Sequence, residues 1–218
     1  MRYIYLLPAA FLAPVIHEWV KALVSTALGD PTPKKQGYLT ANPFRYFEPI
    51  GFIFILLYGF GWGRPVPTGA LHYRDRKLGV ILTYTVPVIV NLLLGIFSVA
   101  VVNLLVIRIY GPLRYDMFVI FLHFHLWTLD PSHLAIILLS HFAFININLA
   151  LFNLLPVYPL AANKLLVTFS NPENIARINH YEKIMQVGMV ILLAFGFIPS
   201  VLLPFTHQII RWSWGLLA

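Results

Sequence analysis

The segment 13-APVIHEWVKAL-23 decides how the rest of the chain is interpreted. It has the apolar content of a membrane-spanning helix, yet it carries a histidine, an acid and a lysine within about one turn. Ionisable side chains are costly inside a bilayer, so they usually face a protein interior and mark a functional site. His17, Glu18 and Lys21 are therefore the candidate site of this protein.

The composition of the whole chain is that of a helical membrane protein. Of its 218 residues, 59% are hydrophobic and 11% are charged, and the mean hydropathy of +0.78 lies outside the range of soluble domains. Apolar runs of about 20 residues recur, which predicts an all-α polytopic membrane protein with a single domain over residues 1–218. The formal charge of +7 indicates loop lysines and arginines that face anionic lipid, and no basic stripe points to nucleic acid. The chain has no cysteine, which excludes disulfides and thiolate metal ligands.

Hydropathy predicts four full spans and one short segment. The four full spans are residues 1–28, 78–107, 133–155 and 183–212. Residues 49–62 are apolar but only about 14 in number, which is short for a span and favours a re-entrant hairpin. Residues 37–40 (GYLT) are predicted to form a small extended or β element after the first span. With a re-entrant hairpin, residues 30–78 and 156–183 share one face with about 10 Lys and Arg against about 4 opposite, which predicts that this face is cytoplasmic.

Residues 17–21 differ by one residue from H-E-x-x-H, the helix motif of zinc hydrolases. In that motif two imidazoles at i and i+4 hold the metal while the glutamate acts as general base. Here the second imidazole is replaced by the ammonium of Lys21, which would repel a dication. Lys21 lies at i+3 from Glu18, within reach of a buried ion pair. Extension of Lys21 toward the membrane interface is the alternative.

An ordered set of motifs resembles the site-2 protease family (peptidase M50), the intramembrane zinc metalloproteases, in their short bacterial form. In chain order, across about residues 10–165, the motifs are Ile16-His17-Glu18, Gly29-Asp30-Pro31-Thr32-Pro33, Gly37-x-Leu39-Thr40-x-Asn42-Pro43, Pro49-Ile50-Gly51, Phe60-Gly61-Trp62-Gly63-Arg64-Pro65-Val66-Pro67, Pro87-x-x-x-Asn91-Leu92-Leu93-Leu94 and the run from Asn148 to Leu160. The resemblance implies a site-2-protease-like helical bundle in the bacterial plasma membrane. Residues 166–218 then form a connector and the C-terminal span.

The resemblance also implies which residues would form the zinc site. His17 and position 21 would be two ligands, Glu18 the general base, and position 161 a third ligand, an aspartate in a Pro-x-x-Pro-Leu-Asp-Gly type turn. In this chain Lys21 and Ala161 replace two of the three ligands. A catalytic zinc needs three protein ligands and an open position. We therefore expect His17 and Glu18 to be vestigial and no cofactor to bind, with zinc as the cofactor if the enzyme is active.

The spacing of the other histidines does not favour a rebuilt metal site. His123 and His125 are two apart and point away from each other in a helix, which indicates an interfacial aromatic stretch. His133 and His141 share a helix face but lie two turns apart. A site made of His17, Glu18 and a distant histidine remains an alternative.

Three functions stay open on the sequence alone. The favoured one is a non-catalytic pseudoprotease in contact with membrane lipid, which binds a transmembrane helix of a client or a partner membrane protein. The alternative is an active intramembrane zinc metalloendopeptidase with altered ligands. The second alternative is a small proton-coupled transporter in which Glu18, Lys21 and His17 form a proton relay. Only the pseudoprotease hypothesis explains why the scaffold motifs match the site-2 protease family while the residues at the metal-ligand positions do not. An extended client is predicted to pair with residues 37–42 by strand addition. The residues predicted to form the groove or interface are Gly37, Leu39, Asn42, Trp62, Pro65, Pro67, Asn91, Asn146, Asn153 and Pro156.

Overall fold

A computed structural model gives the fold of residues 2–111, 118, 119, 122 and 130–216. In these residues eight α-helices follow one another: α1 (Arg2–Ala27), α2 (Thr32–Lys35), α3 (Pro49–Tyr58), α4 (Arg76–Tyr110), α5 (Pro131–Phe152), α6 (Ala161–Phe169), α7 (Pro172–Ala194) and α8 (Phe197–Gly215). Short 3-10 turns lie at Pro43–Tyr46 and Ala70–His72. The chain is an all-α polytopic membrane protein, as its composition predicts.

Three helices, α1, α4 and α5, are long and apolar enough to cross a membrane, and they pack against one another. α5 is the central helix of the three. In its most apolar stretch 67% of the residues are buried, compared with 44% in α1 and 39% in α4. α4 begins at Asp75, whose carboxylate accepts the Leu78 amide at 3.0 Å and caps the helix. Pro8, Pro14 and Pro87 lie inside helices, which membrane helices tolerate better than soluble ones.

The predicted fourth span is not one straight helix. α7 and α8 are together long and apolar enough to span a membrane, but they are bent by 71° at a short break. Gly196 causes the break, because its φ of 75° lies in the left-handed region, which an α-helix does not contain. Among the described residues there are therefore three helices that are long and apolar enough to span a membrane, or four spans if the bent pair is one broken span.

The short apolar segment is helix α3, which begins at Pro49 and ends at Tyr58, directly before the left-handed Gly59. Its 10 residues extend about 15 Å, half the hydrocarbon thickness. The interpretation of this segment as too short for a full span is confirmed.

The predicted β element at residues 37–40 is wrong. Among the described residues there is no strand, and this segment is a series of turns and bends. Gly37 has a left-handed φ of 72°, and the Tyr38 amide donates to the Pro33 carbonyl at 2.8 Å. The Tyr46 hydroxyl binds the carbonyls of Tyr38 and Thr40. These groups satisfy the backbone locally, so the segment has neither a partner strand nor a need for one.

The contact between α3 and the loop at residues 59–67 requires glycine on both sides. A methyl group at Gly51 would overlap the carbonyl of Trp62, and a methyl group at Gly61 would overlap the carbonyl of Gly51. The two backbones therefore touch directly. This contact fixes the position of Trp62, which also stacks on Phe54 and Phe152 at ring-centroid distances of 6.0 and 6.4 Å.

We predict that Gly51→Ala destabilises the protein, because the added methyl group must push the loop away from α3. The expected loss is about 1–3 kcal/mol of unfolding free energy, typical of overpacking. The matched control is Gly188→Ala in α7, where a methyl group meets nothing within 4 Å, and which should stabilise its helix by up to about 1 kcal/mol. Thermal unfolding in detergent would measure both, and an unchanged midpoint in Gly51→Ala would contradict the close approach.

Candidate functional site

The three ionisable residues of α1 lie together in the interior of the bundle. His17, Glu18 and Lys21 are exposed by only 2%, 5% and 4%. Charged side chains are almost never this buried unless they are paired. Their partners therefore define the site.

Lys21 forms an ion pair with Glu18. Its Nζ atom lies 2.7 Å from Oε1 and 2.9 Å from Oε2 of the Glu18 carboxylate. The same ammonium lies 5.4 Å from the centroid of the Tyr84 ring, within cation–π range. The buried ion pair predicted from the i+3 spacing is present, and Lys21 does not extend toward the membrane interface.

A third donor to Glu18 comes from outside the helix. The backbone amide of Val66 donates to Oε2 at 2.8 Å. The loop that carries Val66 is held in place at both ends: the Arg64 amide donates to the Tyr46 carbonyl at 2.8 Å, and the Gly69 amide donates to the Asp30 carboxylate at 2.7 Å. Each oxygen of the carboxylate thus accepts at least one hydrogen bond, and the buried charge is paired with a cation.

His17 is oriented by two asparagines from other helices. Its Nδ1 atom lies 2.7 Å from Oδ1 of Asn91 in α4, and Nδ2 of Asn91 donates to Oδ1 of Asn146 in α5 at 2.7 Å. Asn146 in turn donates to the Phe142 carbonyl at 2.8 Å. Because Oδ1 of Asn91 accepts, His17 donates through Nδ1–H, and the neutral ring then has its lone pair on Nε2. Nε2 has no hydrogen-bond partner among the described residues.

The turn before α6 lies opposite this pair across a small cavity of about 10 Å³, the size of about one water molecule. His17, Glu18, Trp62 and Pro65 line one part of it, and Asn153, Pro159 and Leu160 line another. The structure therefore brings the turn that the resemblance assigned to the third ligand next to the first. Ala161 is buried there and packs with Val88 and Ala150. Its amide lies 3.4 Å from Oδ1 of Asn153, which holds the turn on the end of α5.

The resemblance implies a zinc ion at this point, and the described donors do not fit one. Within residues 2–111 and 130–216, no three His, Asp or Glu side chains are grouped as a metal site requires. His17 Nε2 is a suitable donor, but the Glu18 carboxylate is bound to an ammonium and Ala161 has no donor atom. A catalytic zinc needs three protein ligands. His123 and His125 lie outside the described residues.

The predicted groove residues divide into two sets. Trp62, Pro65 and Asn153 line the small cavity, Pro65 and Pro67 line a larger one, and Asn91 and Asn146 hold His17. Gly37, Leu39, Asn42 and Pro156 line neither of these cavities. Asn42 caps the 3-10 turn by accepting the Phe44 amide at 3.1 Å, and Pro156 is exposed. The absence of a strand removes the basis for strand addition of a client at residues 37–42.

Two important residues were missed by the sequence analysis. Val66 acts through its backbone amide, which no side-chain pattern can indicate. Asp30 stands in the motif at residues 29–33 with no role assigned to it, yet it is buried and accepts the Ser25 hydroxyl at 2.9 Å, the Thr32 amide at 2.9 Å and the Gly69 amide at 2.7 Å. An aspartate followed by Pro31 and, two residues later, by Pro33 in a basic connector was the available indication.

We predict that Lys21→Met costs about 3–5 kcal/mol of unfolding free energy, because it leaves a buried carboxylate without its cation. The double variant Glu18→Gln with Lys21→Met should recover most of this loss, since no buried charge remains and the Val66 amide keeps an acceptor. Unfolding in detergent with rising SDS would measure both, with Lys77→Met at an exposed position as the control. A neutral effect of Lys21→Met alone would contradict the compensating role of the ammonium.

We also predict an acid-dependent anchor at Asp30. Burial raises the pKa of this carboxyl, but hydrogen bonds from Thr32, Gly69 and Ser25 outweigh burial and hold the pKa below its ordinary value. A depressed folded-state pKa stabilises the fold above the unfolded-state pKa of about 4, and this contribution is lost as the pH falls through the folded-state pKa. Asp30→Asn should therefore cost about 1.5–3 kcal/mol at pH 7, and the difference from wild type should shrink toward pH 3.

Melting temperatures between pH 7 and pH 3 would test this dependence. Asp75→Asn is the matched control, because Asp75 is exposed and asparagine also caps helices. His72 faces Asp30 with its Nδ1 atom at 3.5 Å, so the series is repeated in His72→Gln. A difference between wild type and Asp30→Asn that does not change with pH would contradict the charged anchor.

Similarity to known proteins indicates the family that this chain resembles. No protein-family model matches the chain, and no solved structure is significantly similar to it. The chain is 29% identical over 197 residues to a protein of Bacillus subtilis (strain 168) named "Putative zinc metalloprotease YwhC", and the match covers 89% of this chain and 81% of that protein. Together with three to four candidate membrane spans, this match supports a site-2 protease-like family for this integral membrane protein.

Proposed function

We propose that the chain is a non-catalytic member of this family, a pseudoprotease of the bacterial plasma membrane that binds a membrane-embedded segment of another protein without cleaving it. The observation that carries the proposal is the ion pair between Lys21 and Glu18 at 2.7 and 2.9 Å. A general base must have an oxygen available to the water that it activates. Both oxygens of Glu18 are already engaged by a cation.

The position of the ammonium also argues against a metal. In the zinc site that the resemblance implies, position 21 supplies a ligand beside Glu18. Lys21 places a positive charge there, and a lysine can ligate a metal only as the neutral amine. The ammonium thus neutralises Glu18 in the place of a dication.

The third-ligand position supports the same proposal. The side chain of Ala161 is a methyl group that packs with Val88 and Ala150. The polar group that the adjoining turn offers to the small cavity is the carboxamide of Asn153, and this group is held by Leu149 and the Ala161 amide. A neutral amide is a weak substitute for a carboxylate at a zinc ion.

The scaffold around the altered positions supports binding without catalysis. Trp62 is packed between aromatic rings, and the Gly51 and Gly61 contact keeps the loop against α3. Buried asparagines keep α1, α4 and α5 in register through His17. A fold that keeps these contacts keeps the surface around the site even when the metal ligands differ.

Zinc-dependent cleavage is the second candidate function. It is favoured by the lone pair of His17 Nε2, which has no partner among the described residues, and by the zinc metalloprotease name of the Bacillus subtilis relative. It would need Lys21 to leave Glu18 and further ligands to approach His17.

We predict that the detergent-purified wild-type protein holds almost no zinc after dialysis without chelator, as measured by elemental analysis. The double variant Lys21→His with Ala161→Asp should take up about one zinc per chain, because it restores the set of three ligands. Lys21→Gln with Ala161→Asn is the matched control, which changes both positions without creating strong ligands and should hold no zinc.

Stoichiometric zinc in the wild-type protein would overturn the proposal and restore the protease. So would cleavage of a membrane-embedded test peptide that wild type performs and Glu18→Gln does not. Failure of the Lys21→His with Ala161→Asp variant to bind zinc would show that the backbone around the site has diverged as well.

A further inference from the structure

A larger cavity of about 490 Å³ opens beside Lys21. It lies where α1 ends and α4 begins, and its walls come from the loop at residues 65–70, the first turns of α4, the turn at residues 158–159 and helix α6. A volume of this size suits a small organic group. Two of these elements are connectors and α4 contributes only its first turns, so the cavity lies at one end of the bundle.

The charged side chains that line this cavity are of one sign, although each has a glutamate partner outside the lining: Glu18 for Lys21 and Glu182 for Lys164. Of the described residues that line it, two are lysines and none is acidic. Lys21 enters from α1 and Lys164 from α6. Tyr84, Tyr158 and Thr168 add hydroxyl groups to the lining. Cations and hydroxyls on separate walls are the groups that bind an oxyanion.

Both ammonium groups keep hydrogen-bonding capacity for a ligand. An ammonium has three N–H donors, and Lys21 makes two contacts to Glu18. The side chain of Lys164 is one-third exposed, and its Nζ atom lies 5.0 Å from the Tyr158 ring centroid and 3.5 Å from Oε1 of Glu182. A separation of 3.5 Å is at the limit of a hydrogen bond, so a stronger acceptor in the cavity can displace Glu182.

The surroundings favour a phosphate group as the anion. The connector before α4 carries five basic residues, Lys34, Lys35, Arg45, Arg64 and Arg74. Clusters of basic residues at the end of a membrane span attract anionic lipid headgroups. Lysine binds phosphate as a point charge.

We propose that the cavity between Lys21 and Lys164 binds a phosphate-bearing organic anion. The headgroup of an anionic phospholipid and a soluble phosphate ester share this chemistry. The site lies next to the Glu18 ion pair but is distinct from the proposed client-binding function, and it does not depend on the absence of zinc.

The test uses the full chain in a neutral detergent and measures binding by calorimetry. The probes are a short-chain phosphatidylglycerol, glycerol 3-phosphate and a short-chain phosphatidylcholine as the zwitterionic comparison. Lys164→Gln should weaken binding of the anionic probe about fivefold, the effect of one lysine near an anionic lipid surface. The matched control is Lys183→Gln, which removes an exposed lysine that does not line the cavity and should change the affinity less than twofold.

Glu182→Gln separates ligand binding from a structural role of Lys164. If Lys164 serves only its pair with Glu182, then Lys164→Gln and Glu182→Gln should have the same effect. If Lys164 binds the anion, then Glu182→Gln releases the ammonium and should strengthen binding about two- to threefold, opposite in sign to Lys164→Gln.

The outcomes identify the source of the phosphate. Binding of both anionic probes supports recognition of the phosphate itself, binding of phosphatidylglycerol alone supports a lipid headgroup, and binding of glycerol 3-phosphate alone supports a soluble ester. Equal effects of Lys164→Gln and Lys183→Gln would overturn the proposal. Equal binding of phosphatidylcholine, or stronger competition by a peptide carboxylate, would also overturn it. Zinc content is measured separately on the same preparations, so failure here is distinguishable from failure of the proposed function.

Discussion

The buried carboxylate of Glu18 is the constraint on which the site depends. Moving an ion out of water costs several kcal/mol even after the protein relaxes, and Glu18 is only 5% exposed. The cost is offset by Lys21 from the same helix and by the Val66 amide from a loop 48 residues further along the chain. The amide is available only because the loop is fixed at both ends, at Tyr46 and at Asp30. A charge inside α1 thus determines how a connector outside it must be held.

Buried asparagine side chains form hydrogen bonds between helices that are distant in sequence. Asn91 links α1 to α5 through His17 and Asn146, and Asn148 of α5 donates to the Gly59 carbonyl and accepts the Thr206 hydroxyl of α8 at 2.6 Å. In lipid the apolar faces of helices gain little by meeting each other, so packing and polar contacts set which faces meet. The charged residues of α1 therefore lie in a framework whose register is fixed by neutral polar groups.

The features that the sequence could predict are those set by neighbouring residues. The Glu18–Lys21 pair follows from i+3 spacing, and the shortness of the segment at Pro49 follows from counting apolar residues. The hydrogen bond between His17 and Asn91 joins residues 74 apart, and only the packed helices bring them together. The segment at residues 37–40 has the composition of a strand but satisfies its backbone in local turns. Hydropathy averages depend on composition and not on the backbone angle φ, so they do not detect the break at Gly196.

An ion pair and a metal site can solve the same electrostatic problem for Glu18. Either one neutralises the carboxylate, but the ion pair does so within α1, while a zinc ion would also require a ligand from the turn before α6. Once Lys21 supplies the positive charge, that turn is free to be apolar, and Ala161 packs with Val88 and Ala150. On the proposed function, Lys21 and Ala161 are therefore linked physically, although they lie on different elements. On the proposed reading, the cation that keeps the fold stable is the one that removes the general base from use, so stability and catalysis would compete for the same two oxygens.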